Sequence, residues 1–288
     1  MANDYNIEKD YSERINKVLN YIQGNIEKSF QLKELSALGN FSQFHFHRII
    51  SSYLNEPLNS YIKRKRLEKS AQLLRFSKKS IAEICYSIGY ETPSSFSSAF
   101  KKKFGVSPTA YKKKYKSKIS KTENKSPEKI NFDFQPVIKT IPNKKVAFIR
   151  VFSNYEKAKI GKAWGTLFQF AKENNLLNKR TELYGISYGN PEISENENYE
   201  YNACISIESA IEPKGEIGIK EIKGGKFAVF AFKGEYSNFN LIYQLIFKEW
   251  LFKSNYELRN AELFDKYLNS LIDTEPSDLI TEIYLPIN

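Results

Sequence analysis

Two groups of residues in this 288-residue chain are of types that could do chemistry, and both suit binding better than catalysis. The first group is Ser42, Gln43, Phe44, His47 and Arg48, followed much later by Thr92, Ser94, Ser95, Ser98 and Lys101. An arginine can make a forked contact to guanine, a phenylalanine can lie against a thymine methyl, and a lysine can meet a phosphate. The second group sets acids among aromatic rings: Asp265, Glu282 and Tyr284, with Tyr155, Trp164 and Tyr184. Glu282 and Tyr284 share one face of an extended strand. Such a set would give a cation a charge partner and π faces, at ~0.5 to 2 kcal/mol per cation–π contact. No nucleophile is spaced to pair with a base, no glycine loop could cradle phosphate, and His45 and His47 diverge on a helix. No catalytic residue, metal or cofactor is therefore expected.

The first group needs helices to present it. Across 81–115, Ile81, Ile84, Cys85 and Ile88 recur at helical spacing, Gly89 supplies a left-handed turn, and Pro93 opens a second helix burying Phe96, Phe100 and Phe104. Gly105 ends that helix and Ser107-Pro108 starts another, with a lysine-rich tail. The same unit occurs at 32–54. Leu32, Leu35 and Asn40 match Ile81, Ile84 and Gly89 at a shift of 49; Phe46, Ile50 and Asn55 match Phe96, Phe100 and Gly105 at 50. Asparagine is the usual substitute for glycine in a left-handed turn. A helix over 60–76 links the two units, and its run Lys63 to Arg66 is expected to contact phosphate or support the domain. Residues 1–10 read as a polar tail, 11–26 as a first helix.

These motifs resemble the DNA-binding domain of AraC/XylS-type transcription regulators: SQFHFHRII, the spacer YIKRKRLEKSAQLL, IAEICYSIGY and the closing FGVSPTAYKK, over roughly residues 11–116. The resemblance implies two helix-turn-helix readers of double-stranded DNA. Where relatives commonly place arginine on the second recognition helix this chain has Ser98, so the readers are expected to contribute unequally.

Polar residues 116–129 read as a linker, and from residue 130 the texture changes to strands alternating with helices. Strands are expected at 144–152, 183–188, 201–207, 225–232, 264–268 and 281–286, with helices at 155–174 and 238–253. A shift of 81 matches Lys145, Ala147 and Tyr155 with Lys226, Ala228 and Tyr236, which implies a duplicated β-α-β-β unit with a pseudo-twofold groove. The same shift sets Asp265 against Tyr184; a shift of 79 sets Glu282 against Ala203 and Tyr284 against Ile205. Asp265, Glu282, Tyr184 and Tyr284, with Trp164 and Tyr155, are then expected to meet in one groove. This half resembles the GyrI-like effector-binding domain, through IPNKKVAFIRVF, YGISYGNPE, YNACISIE, IKGGKFAVFAFKGEYSN, FDKYLN and TEIYLPI. In that family a strand acid, usually Glu, helps receive cationic ligands, and here Asp265 stands at its place.

The fold expected is thus an all-α double helix-turn-helix domain (1–118), a linker (119–129) and an α+β GyrI-like domain (130–288), the architecture of Rob-type regulators. Charge agrees. Residues 1–126 hold 24 Lys/Arg against 11 Asp/Glu, leaving 20 against 22 for the remainder of the 44 and 33, so the basic excess is confined to the half that would meet a polyanion. Two distant cysteines, no apolar run of spanning length and a charged start point to the cytoplasm. The resemblance implies DNA, a small effector and RNA polymerase as partners, and no membrane. A hydrolase or a protein-interaction module in the second half remain the alternatives.

Overall fold

The computed structural model describes residues 2–121, 132–152, 157–188, 200–208, 210–271 and 273–288. It divides into two compact units, Met1–Lys121 with Pro213–Gly218, and Thr122–Glu212 with Ile219–Asn288.

The first unit is helical: α1 (Ala2–Gly24), α2 (Leu32–Leu38), α3 (Gln43–Leu54), α4 (Leu58–Phe76), α5 (Ile81–Ser87), α6 (Pro93–Phe104) and α7 (Pro108–Lys121). Two expectations are corrected at its ends. Helix α1 takes in the expected polar tail, and α7 runs on through Lys121 into the expected linker, whose residues 122–129 lie outside those described. Adding a residue to an existing helix avoids the cost of nucleation, so polar sequence extends a packed helix readily. The repeat holds at its turns. Asn40 and Gly89 have φ of 52° and 81°, and Asn55 and Gly105 have 55° and 74°. Each pair occupies the same left-handed position, which an L side chain adopts at a cost that Gly and Asn largely avoid. Phe46, Ile50, Phe96 and Phe100 are all buried.

Along α4 the charge run is mostly internal. Arg64 donates to Glu56 Oε1 (2.5 Å from Nη2) and to Glu68 Oε1 (3.3 Å), Lys65 is buried, and Arg66 donates to the carbonyls of Ile26 and Lys28. Only Lys63 of the four is exposed. The run therefore supports the domain at three of its positions.

The second unit is an eight-stranded sheet in the order β1 (Val137–Ile141), β6 (Gly225–Lys233), β8 (Ile280–Pro286), β7 (Phe264–Tyr267), β3 (Leu183–Tyr188), β4 (Glu200–Ser206), β2 (Lys144–Phe152), β5 (Ile217–Ile222). This order is a palindrome of the duplication. Each half lends its first strand to the edge of the other: β1 pairs antiparallel with β6, and β5 lies beside β2. Both lent strands escaped the sequence reading, because a half-exposed edge strand such as β1 lacks a strong apolar alternation.

Helix α8 (Lys157–Glu173) follows β2. After β6 the expected single helix is broken into a 3₁₀ turn at Tyr236–Asn238, α9 (Phe239–Leu245), a π turn at Ile246–Trp250 and a 3₁₀ turn at Leu251–Lys253. The widened turn keeps Ile246 and Phe247 buried while setting the Trp250 ring 5.3 Å from Phe230. Strand alternation gives the sheet two faces. Phe230 and Phe232 meet the segment 239–250, so that face is the helix-covered one. On the other face Val146, Phe148, Tyr184, Ile186, Cys204, Phe227, Val229, Phe264 and Tyr284 form one apolar cluster running from β2 to β6.

Candidate functional site

The strand registers fix which residues the duplication makes equivalent. In the first half Ile149, Ala203 and Gly185 lie side by side across β2, β4 and β3; in the second, Phe230, Ile283 and Asp265 lie side by side across β6, β8 and β7. The two rows meet where Gly185 opposes Asp265. The expected shifts for the third and fourth strands are therefore one residue out. Asp265 corresponds to Gly185 rather than Tyr184, Glu282 to Asn202 and Tyr284 to Cys204. A slip of one residue moves a side chain to the opposite face, so the error is one of site and not of detail.

The consequence is that the six expected ligand residues separate. Asp265 and Trp164 come to the helix-covered face. Tyr184, Glu282 and Tyr284 lie on the opposite face, and Tyr155 lies outside the described residues. The acids of the opposite face already hold lysines. Glu282 accepts from Lys139 Nζ (2.9 Å) and the Tyr284 hydroxyl (2.9 Å). Glu182 accepts from Lys144 (2.8 Å), Lys266 (2.6 Å) and the Tyr184 hydroxyl (2.5 Å); burial opposes its charge, yet these bonds hold it down at about 2.

Asp265 shares the tyrosine hydroxyl but differs in burial and in its lack of a lysine. It is 2 % exposed, and among the described residues no lysine or arginine offsets it. Its Oδ1 accepts a hydrogen bond from the Tyr243 hydroxyl of α9. Burial pushes its carboxyl up to about 7, against the pull of that bond.

Aromatic rings surround it. Trp164 Nε1 of α8 donates to the Tyr201 hydroxyl (3.2 Å), which lies 3.2 Å from the Tyr267 hydroxyl. The Trp164 ring stands edge-on to Tyr267 at 5.8 Å, and the Tyr236 ring is tilted against Tyr267 at 5.2 Å. Tyr201, Tyr236 and Tyr267 all feel the Asp265 charge, and burial with that charge carries Tyr236 up to about 12. Gly185 makes room: a Cβ there would run into the Tyr267 hydroxyl and sit 2.8 Å from that of Tyr201. A buried carboxyl that no lysine or arginine offsets among the described residues, with π faces and hydroxyl oxygens around it, has the chemistry to accommodate a positive charge.

Sequence reasoning missed Tyr201, Tyr236, Tyr243 and Tyr267. The signal for Tyr267 was present, since it follows Asp265 by two on one strand; Tyr236 was visible as the counterpart of Tyr155.

In the helical unit, α3 presents Gln43, Phe44, His47 and Arg48 together on its exposed side, with Phe44 92 % exposed. Ser42 caps the helix, its hydroxyl accepting from His45 N (3.4 Å). On α6, Thr92 Oγ1 accepts from Ser95 N (3.2 Å), and the Ser94 and Ser95 hydroxyls lie 3.2 and 3.0 Å from it. Those three hydroxyls are engaged with one another at the cap. Ser98 is exposed about one turn and Lys101 about two turns further along. Among the described residues no helix is long and apolar enough to cross a membrane.

Comparison with known proteins agrees with both halves. A family described as a GyrI-like small molecule binding domain matches residues 134–288, and a helix-turn-helix domain family matches 35–114. The probable transcriptional regulator LumQ of Photobacterium leiognathi is 35 % identical over 101 residues, 34 % of this chain and 41 % of that protein. The transposon Tn10 TetD protein of Escherichia coli is 32 % identical over 114 residues, 38 % of this chain and 83 % of that protein. The crystal structure of the EcmrR C-terminal domain is 16 % identical, covering 55 % of this chain and 99 % of that one, with a TM-score of 0.46. The chain spans about two fifths of the length of the first curated relatives it matches.

Proposed function

The chain belongs to the GyrI-like small-molecule-binding family, with an AraC-type helix-turn-helix region ahead of that domain, and from this premise we propose that it is a sequence-specific transcription regulator controlled by a small cationic, aromatic effector. The observation that carries the effector class is Asp265, buried inside the rings of Trp164, Tyr201, Tyr236, Tyr243 and Tyr267 with no lysine or arginine offsetting it among the described residues. A cation entering there would ionise the acid and meet the ring faces. Tyr243, which now holds Oδ1, would exchange its bond for a place in the wall.

Supporting the DNA half are the two recognition helices, the basic excess confined to residues 1–126 and the regulator names of relatives such as LumQ. Base reading falls to Phe44, His47 and Arg48; contact with RNA polymerase belongs to the same reading. Named regulators among the relatives also favour sensing over turnover.

The test is calorimetry on the full chain with benzyltrimethylammonium and its neutral carbon isostere neopentylbenzene. The cation is expected to bind more tightly, and Asp265→Asn to remove most of the difference. Equal affinities for the two in the wild type would leave only an apolar cleft. Adding the cation to protein bound to a duplex recovered from random-sequence selection should then shift DNA affinity.

A further inference from the structure

The two helix-turn-helix units are tied together through one side chain of the helix between them. Arg66 leaves α4 and donates from Nε to the Ile26 carbonyl (2.9 Å) and from Nη2 to the Lys28 carbonyl (2.6 Å). Those carbonyls belong to the segment that leads α1 into α2, the entry to the first reader. The same guanidinium lies against Gly89, the left-handed turn between α5 and α6 of the second reader. A Cβ on Gly89 would stand 2.7 Å from Arg66 Nη2, 2.9 Å from its Cζ and 2.5 Å from the Glu27 carbonyl oxygen. Gly89 is thus required twice, for its φ of 81° and for the approach of the first reader's backbone.

This three-way contact does something that α4 alone does not. A helix sets the distance between two units packed on it, but each unit can still rock about its own contact patch. A planar fork that bonds the entry of one and packs on the turn of the other removes that freedom, and arginine can hold two carbonyls at once where lysine offers a single point. On B-DNA one added base pair rotates the second half-site by about 35° and moves it ~3.4 Å, so a locked pair of readers accepts one spacing only.

We propose that Arg66 is a spacing-determining residue: through Ile26, Lys28 and Gly89 it fixes the angle between α3 and α6 and so confines recognition to half-sites at one separation. It touches no base itself, and the inference rests on the reading that both helix-turn-helix units engage DNA.

The test uses the full chain, wild type, Arg66→Lys and Arg66→Ala, with a duplex recovered from random-sequence selection by the wild type and derivatives carrying one or two base pairs inserted between the protected windows. Hydroxyl-radical footprinting reports backbone contact whether or not a reader discriminates bases. The wild type is expected to protect two windows on the parent duplex and to lose one of them, with about a tenfold fall in affinity, on insertion. Both variants are expected to bind the parent somewhat more weakly and to keep two windows on the inserted duplexes, with a fall of no more than about threefold. Circular dichroism confirms that the variants retain their helix content. An unchanged spacing preference in both folded variants overturns the proposal, as does a single window in the wild type. Loss of helix content in both variants overturns it too, making Arg66 a folding residue. No protection at all by the wild type defeats the regulator reading itself.

Discussion

Gly185 and Asp265 face one another on adjacent strands, and each is the other's counterpart in the duplication. The pseudo-twofold therefore runs between a glycine and a buried acid. In the proposed effector site this asymmetry would make the sheet one-sided: the glycine leaves room for two tyrosine hydroxyls, and the acid supplies a charge. That charge has a stability signature. The carboxyl titrates at about 7 in the fold against an ordinary 3.8, so above pH 7 the folded state carries the full burden of an ionised buried acid. The burden shrinks as pH falls through 7 and is gone below the unfolded value. Asp265→Asn is expected to stabilise the chain by up to ~4 kcal/mol at pH 8, at 1.36 kcal/mol per pK unit, and by little at pH 4. Urea denaturation at the two pH values measures it; a gain independent of pH would place the ionisation elsewhere.

The same acid makes effector binding depend on pH in the opposite sense. A cation binds the carboxylate and not the protonated acid, so its affinity is expected to be about tenfold higher at pH 8 than at pH 6, with close to one proton released below pH 7. Calorimetry in buffers of different ionisation enthalpy counts that proton. A flat profile would mean that the ligand does not meet Asp265.

Gly185→Ala probes the space rather than the charge. The new methyl must displace the Tyr201 or Tyr267 hydroxyl, breaking the chain of contacts to Trp164. Overpacking of this kind costs ~1 to 3 kcal/mol of stability, and the cation affinity should fall at every pH. Tryptophan fluorescence follows both; a shift in the pH midpoint without loss of affinity would contradict the arrangement.

How much of this was legible in the chain depended on whether the deciding contact was local. Asn40 and Asn55 could be matched with Gly89 and Gly105 because a left-handed turn restricts residue type at a single position. Asp265 and Tyr267 share a face by strand alternation alone. By contrast, the pairing of Gly185 with Asp265 depends on how two strands 80 residues apart are registered, and a one-residue error in the repeat sent Tyr184, Glu282 and Tyr284 to the wrong face. The exchange of β1 and β5 between halves, and the capture of Arg64 by Glu56 and Glu68, are likewise set by packing that no local pattern carries.

That capture separates neighbours that look alike in sequence. Lys63 is exposed, whereas Arg64 stands between two acids, and removing it takes the shared guanidinium from Glu56 and the buried Glu68, leaving Glu68 with Lys65 at 4.0 Å. Arg64→Ala is expected to cost ~3 to 5 kcal/mol, as breaking a buried pair does, and Lys63→Ala less than about 0.5. Thermal melts decide between this and a phosphate role. A stable Arg64→Ala chain that binds DNA more weakly with a shallower salt slope would restore the phosphate reading.

The two recognition helices should differ in what they read. Arg48 and His47 are exposed on α3 beside the 92 % exposed ring of Phe44, an apolar surface suited to a thymine methyl. On α6 the hydroxyls of Thr92, Ser94 and Ser95 are tied up at the helix cap, leaving Ser98 and Lys101, one short hydroxyl and one flexible point charge. A forked guanidinium discriminates bases; a point charge mainly finds phosphate. Arg48→Ala is therefore expected to weaken binding to a selected duplex by ~1 to 3 kcal/mol and to relax preference at one base pair. Lys101→Ala should weaken all sequences alike and reduce the salt slope by about one, and Ser98→Ala should change little. Selection from random DNA with the wild type and Arg48→Ala reads this out directly. Two equally informative half-sites would show that α6 reads bases as strongly as α3, and an Arg48→Ala preference identical to wild type would show that Arg48 reads no base.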